Sequence, residues 1–190
     1  YLHFNYKNIL LLVSDNKIFT YDWLSYKKNE LFVAENKIRF IGISAKDSYI
    51  YIVESDNSIT LLNQKNNEKK QIKFNNIITC VTTSFQENYL AIGFDDGSIK
   101  IYINSTFEEF LETNQTHAVT AIAFLEEGRL LSGNSTQTLL LWDILIGVSS
   151  EIFNSPFENC IEIIPNLKDN PMNADKFITK HKNGGLVFWN

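Results

Sequence analysis

Leu90-Ala91-Ile92-Gly93-Phe94-Asp95-Asp96-Gly97-Ser98-Ile99-Lys100-Ile101-Tyr102-Ile103 consists of two β-prone runs separated by a tight-turn sequence. Asp and Gly tolerate the left-handed backbone that a two-strand reversal needs, so the stretch predicts a β-hairpin. The same design recurs at Ser14-Asp15-Asn16-Lys17-Ile18, Ser55-Asp56-Asn57-Ser58-Ile59, Ser135-Thr136-Gln137-Thr138-Leu139 and Lys182-Asn183-Gly184-Gly185-Leu186. The second residues of the five turns stand at 15, 56, 96, 136 and 183, in steps of 41, 40, 40 and 47. Asn166 to Ala174 reads as an inserted loop that lengthens the last step.

A second marker shares the period. Before each hairpin stands a further strand, anchored on Ile38, Ile78, Val119 and Ile161, with apolar residues alternating in runs such as Val119-Thr120-Ala121-Ile122-Ala123-Phe124. A more polar outer strand follows each hairpin, at Glu30 to Ala34, Lys70 to Phe74, Phe107 to Leu111 and Ser150 to Phe153. Four short strands cannot bury both faces of their own sheet, so neighbouring repeats must stack around an axis. The expected fold is all-β, a propeller with about five four-stranded blades at 1–36, 37–76, 77–117, 118–158 and 159–190. The fifth is expected to lack its outer strand. With no spare strand before Tyr1, further blades of the same chain or a partner subunit should complete the ring.

Composition narrows the class. The chain has 190 residues, 44% of them hydrophobic, which suits a folded globular protein. No apolar run approaches the roughly 20 residues that span a bilayer. The start, Tyr-Leu-His-Phe-Asn-Tyr, carries neither Met nor a signal peptide's basic and apolar regions and reads as the interior of a longer protein. A net charge of −5 argues against a general phosphate-binding surface, leaving Lys65 to Lys73 as the one basic stretch, which reads first as a solvated strand connection. Two cysteines, Cys80 and Cys160, supply neither a disulfide framework nor a zinc site and point to a reducing, intracellular setting, cytoplasmic or cytoskeletal, with the nucleus second.

Thr116-His117-Ala118-Val119-Thr120-Ala121-Ile122-Ala123-Phe124, with Leu131-Ser132-Gly133-Asn134 and Leu139-Leu140-Leu141-Trp142-Asp143, resembles a near-complete WD40 unit. Tyr21-Asp22 and Trp189-Asn190 stand where Trp142-Asp143 does. In that family a His before the first strand, a Ser or Thr on the second, an Asp in the turn and the Trp of the third form a structural hydrogen-bond network. The resemblance therefore implies a network of His117, Ser132 and Trp142, with Thr136 in the Asp place. Repeats one to three keep Asp15, Asp56 and Asp96 and lack the His.

Residues that suggest chemistry have plainer roles. Asp95-Asp96 followed by Gly97 is turn chemistry. Glu108-Glu109 and Glu126-Glu127 are adjacent in sequence, whereas acid–base pairs need buried, convergent carboxylates. His3 and His181 stand apart from each other and from both cysteines, and no cofactor or metal set is visible. The expected function is a non-catalytic protein-interaction scaffold in a larger assembly, with other proteins as partners and nucleic acid and membrane unlikely ones. Ser14, Ser55, Asp95, Ser135 and Lys182, one per hairpin turn, are the candidate contact rim. The alternative is an RNA-processing or ribosome-assembly subunit that touches RNA through Lys65 to Lys73.

Overall fold

The computed structural model describes residues 2–4, 9–22, 24–165 and 176–189, so the inserted loop expected at Asn166 to Ala174 lies outside the described residues. These residues hold nineteen strands and no helix. They divide into two compact units, residues 1–75 and 76–190.

In the first unit, β1 (Leu2–Phe4), β2 (Ile9–Ser14), β3 (Lys17–Asp22) and β4 (Lys27–Val33) form one antiparallel sheet. Next come β5 (Ile38–Ile43), β6 (Tyr49–Glu54), β7 (Ser58–Asn63) and β8 (Lys69–Lys73), which form the second. Leu11, Ile18, Phe32 and Ala34 of the first sheet and its flank pack with Ile38, Ile50, Ile52 and Leu62 of the second.

The second unit holds three sheets. Sheet three comprises β9 (Ile78–Thr83), β10 (Tyr89–Phe94), β11 (Ser98–Ile103) and β12 (Glu108–Asn114). Sheet four comprises β13 (Val119–Glu126), β14 (Arg129–Asn134), β15 (Thr138–Asp143) and β16 (Val148–Asn154). Sheet five has three strands among the described residues, β17 (Cys160–Pro165), β18 (Phe177–His181) and β19 (Leu186–Trp189).

Alternation in sheet four decides how these sheets stack. Ala121, Ala123, Leu125, Leu131, Leu139 and Leu141 face sheet five and meet Cys160, Ile163 and Phe177. Their neighbours Ile122, Phe124, Leu130 and Trp142 face the other way and meet Ala91, Ile99 and Ile101 of sheet three. Fully burying one such aliphatic or aromatic side chain stabilises by about 1.5–3 kcal/mol, so both faces contribute to the core. Close approach of the sheets requires small residues. A Cβ on Gly133 would lie 2.8 Å from Cβ of Cys160, and one on Gly93 would lie 2.6 Å from Val119.

Every sheet with a resolved first-strand register shift carries it just after its anchor. Ile38 pairs with Glu54 and Phe40 with Val53, skipping Arg39; Thr79 and Thr120 are skipped in the same way. In sheet five the pairs are Cys160 with His181 and Glu162 with Lys180, so Ile161 is the bulged residue. This corrects the anchor assignment: Ile161 is 46% exposed, whereas Cys160 is buried like Ile38, Ile78 and Val119. A bulge turns one side chain out of the ladder, and an alternation count that ignores it runs one residue late.

Positive φ recurs with the repeat as well, at Asp47 and Glu87, at Asn57 and Gly97, and at Asn67, Phe107 and Gly147. Spacings of 40 mark these as equivalent turns. Glu87 and Phe107 occupy a conformation that costs side-chain-bearing residues about 1–2 kcal/mol.

Candidate interaction surface

Only repeats four and five place a hydroxyl on the second strand of the sheet, four residues before the turn marker: Ser132 and Thr179. Repeats one to three have Leu11, Ile52 and Ile92 there, all buried. The same two repeats carry a tryptophan on the third strand, Trp142 and Trp189. A buried indole N–H requires an acceptor, and the hydroxyl supplies one. Trp142 Nε1 donates to Ser132 Oγ at 2.8 Å, and Trp189 Nε1 donates to Thr179 Oγ1 at 3.0 Å.

The third member of the sheet-four network is Gln115, not His117. Ser132 Oγ donates onward to Gln115 Oε1 at 3.0 Å, and Gln115 is 7% exposed. His117 lies on the surface with Nδ1 against the Thr116 hydroxyl. Gln115 precedes Ser132 by 17 residues, and Ser155 precedes Thr179 by 24, which is 17 plus the seven extra residues of the last repeat. Both fill the same place, so the spacing between repeats held the signal that the His117 reading missed. In sheet five Ser155 Oγ lies 3.1 Å from His181 Nε2, Thr179 Oγ1 lies 3.0 Å from the same nitrogen, and Nδ1 faces the Glu158 carbonyl at 3.2 Å. His181 is thus a buried structural histidine.

Gln115 leaves one group unused. Its Nε2 is buried without a hydrogen-bond partner. In the turn opposite, Thr136 has its hydroxyl and N–H directed at Asn134 Oδ1, so it offers no carboxylate. The other turns confirm local roles for their acids. Asp56 Oδ1 accepts from Ser58 N and Oγ, and Asp96 Oδ1 accepts from Ser98 N and Oγ. Lys73 and the Ser58 hydroxyl hold the Asp56 carboxyl down at about 2. The Ser98 hydroxyl likewise lowers that of Asp96.

The proposed rim residues all fall at hairpin turns. Ser14, Ser55, Asp95 and Lys182 are exposed and Ser135 is half-buried. Asp95 has a structural partner, since its carboxylate accepts from Ile77 N at 2.9 Å. The basic stretch is largely neutralised: Lys70 pairs with Glu68, Lys73 pairs with Asp56 at 2.8 Å, and Lys69 sits 4.5 Å over the Phe32 ring. Burial pushes the Cys80 thiol up to about 12 and the Cys160 thiol to about 11, which removes thiolate reactivity near neutral pH.

A cleft of about 840 Å³ opens in the second unit beside the sheet-four network, lined by Asp96, Glu112, Gln115, Thr136, Leu140 and Trp142 among others. Lys100 bridges Glu112 and Glu109 at 3.0 and 3.1 Å nearby. Burial opposes its charge, but the two carboxylates outweigh it and raise its pKa.

Comparison with known proteins fits this geometry. The family model "WD domain, G-beta repeat" matches residues 68–102 and 108–143, which contain the third-strand residues Tyr102 and Trp142. Those two stretches match WD40 repeats. A 92-residue segment is 32% identical to Cell division control protein 4 of Saccharomyces cerevisiae, covering 46% of this chain and 11% of that protein. The chain thus matches about a tenth of its curated relative's length. A chain of the solved structure titled Crystal Structure of Mitotic Checkpoint Complex superposes with a TM-score of 0.64 at 11% identity over 100% of this chain and 72% of its own, a likeness of fold.

Proposed function

We propose that this WD40 chain is a non-catalytic subunit of a multi-protein assembly, holding partner proteins on the turns of its sheets. One observation carries the reading. Turn backbones are fixed by side-chain bonds at Asp56, Asp96, Asn134 and Asn183, while Ser55, Asp95 and Lys182 stand exposed on those same turns. Rigid backbones with exposed polar tips are suited to protein recognition, because little freedom is lost on docking. Fold alone names no partner. RNA binding through Lys65 to Lys73 gains no support, since Lys70 and Lys73 already have carboxylate partners. Two free cysteines, Cys80 and Cys160, suit an intracellular site, cytoplasmic or cytoskeletal.

Crosslinking mass spectrometry of the full-length protein isolated from its own cells tests the proposal. Links from Lys182 and neighbouring turn lysines to one stoichiometric polypeptide are expected. A protein that isolates alone, with no link to another chain, overturns it.

A further inference from the structure

The turns that join third to outer strands lie at the opposite end of their sheets from the rim turns. In sheets two, three and four they share one backbone: Asn67 N donates to Asn63 O, Phe107 N to Ile103 O and Gly147 N to Asp143 O, with positive φ at Asn67, Phe107 and Gly147. Polar, exposed residues fill the two tip positions in sheets two and three, Lys65-Asn66 and Ser105-Thr106, so the turn itself requires nothing apolar there. Sheet four has Leu145-Ile146 instead, 66% and 70% exposed, with Val148 close behind. This tip is rigid. Leu145 N donates to Asp143 Oδ1 at 2.9 Å, Ile144 N donates to Gly128 O at 3.0 Å, and Gly147 rests against the Leu111 side chain of β12. Next to Leu111, Phe110 is skipped by the β12 ladder and is partly exposed. Charge around the tip is one-sided. β12 brings Glu108, Glu109 and Glu112 beside Leu111, and the β13–β14 turn brings Glu126 and Glu127 beside Gly128, over which Leu145 lies. Lys100 serves both Glu109 and Glu112, and Arg129 serves Glu126. Glu127 accepts only from the uncharged Ser84 Oγ and Gln86 N, and the Glu108 side chain has no partner among the described residues.

We propose that the Leu145-Ile146 tip docks into a partner protein, received by a segment whose apolar side chains are flanked by lysine or arginine. Burial of two exposed aliphatic side chains supplies the attraction, and a turn already fixed by hydrogen bonds loses little freedom on docking. Charge selects the occupant. A second copy of the chain would set the same five glutamates against these, and like charges oppose each other across an interface. An anionic membrane surface is repelled for the same reason. A basic flank is instead drawn in by the surplus of carboxylates and finds Glu108 without a partner. The inference shares with the scaffold reading only the premise that the chain binds proteins, and it goes beyond that reading by adding a second, apolar surface at the far end of sheet four from Ser135.

The test is photocrosslinking of the full-length protein in its own cells, with a diazirine amino acid in place of Ile146 and the joined peptides sequenced by mass spectrometry. The expected adduct is a segment of another protein in which aliphatic or aromatic residues adjoin lysine or arginine. A synthetic copy of that segment should bind the full-length protein saturably. Its affinity should fall at least about tenfold for the double variant Leu145→Ser, Ile146→Thr, which carries the tip of sheet three and so keeps the parent unfolding midpoint. Glu108→Gln, at an exposed position that folding does not use, should weaken binding severalfold, as should added salt. No adduct at Ile146, an adduct to this chain or to lipid, a segment without a basic residue, or unchanged binding in either variant overturns the proposal. If Lys182 still crosslinks to a stoichiometric partner while Ile146 yields none, only this surface fails; if neither residue reaches another protein, the scaffold reading fails with it.

Discussion

Replacing Ser132 with alanine removes one atom on which two hydrogen bonds turn. Trp142 Nε1 loses its acceptor at 2.8 Å, and Gln115 Oε1 loses its donor at 3.0 Å. Ser132 is fully buried, Trp142 is 5% exposed and Gln115 7%, so water cannot readily replace either bond. Leaving the indole N–H unpaired costs about 1–3 kcal/mol, and the loss on the glutamine side adds about 1 kcal/mol. A total of about 2–4 kcal/mol follows. With about 2–4 °C per kcal/mol for a chain of this size, the second unit should melt about 4–16 °C lower. The assay is hydrogen exchange at the Trp142 indole, combined with urea unfolding of Ser132→Ala, Trp142→Phe and the double variant. A coupling energy of at least about 1 kcal/mol is expected, since the two side chains share a bond. A change under about 0.5 kcal/mol in Ser132→Ala with unaltered indole exchange would refute the reasoning.

Three further outcomes follow from the geometry. Thr136→Asp should stabilise the second unit by about 1 kcal/mol in urea unfolding by giving the buried Gln115 Nε2 an acceptor; an unchanged midpoint contradicts this. Gly97→Ala should destabilise by more than about 2 kcal/mol, because Gly97 sits at φ 91° and an added Cβ runs into the Gln115 carbonyl oxygen; a melting temperature within 2 °C of the parent contradicts this. Asp56 is held at about 2 against an ordinary 3.8, so its contribution is present above pH 4 and is lost as pH falls toward 2; Asp56→Asn should flatten the acid limb of a stability-against-pH curve over that window.

The repeat was legible because hairpins need turn residues and turns impose a period. Hairpin strands follow within two residues in all five repeats, and the outer strands of the first four within three. Two details were hidden for physical reasons. Ile161 looks like an anchor by hydrophobicity, yet a bulge turns it outward and gives the buried place to Cys160. His117 looks like the network residue by type, yet the position is fixed by reach: Gln115 is the residue that meets Ser132. Left-handed turns at Glu87 and Phe107 could not be read at all, since neither residue type announces that backbone. Phe107 keeps it while its ring packs 5.5 Å from Tyr102.

Sheet four divides alternate side chains between sheet three and sheet five, and that division sets how the second unit comes apart. Neither face can be satisfied until both neighbours have formed, so its stability is a sum of two interfaces with little of its own. Loss of sheet five would strip cover from Leu131, Leu139 and Leu141 and loosen sheet four. The far interface with Ala91 and Ile101 would then give way in turn. Damage at one end of such a stack travels inward one sheet at a time, and the unit unfolds as a chain of dependent steps that begins at its outermost sheet.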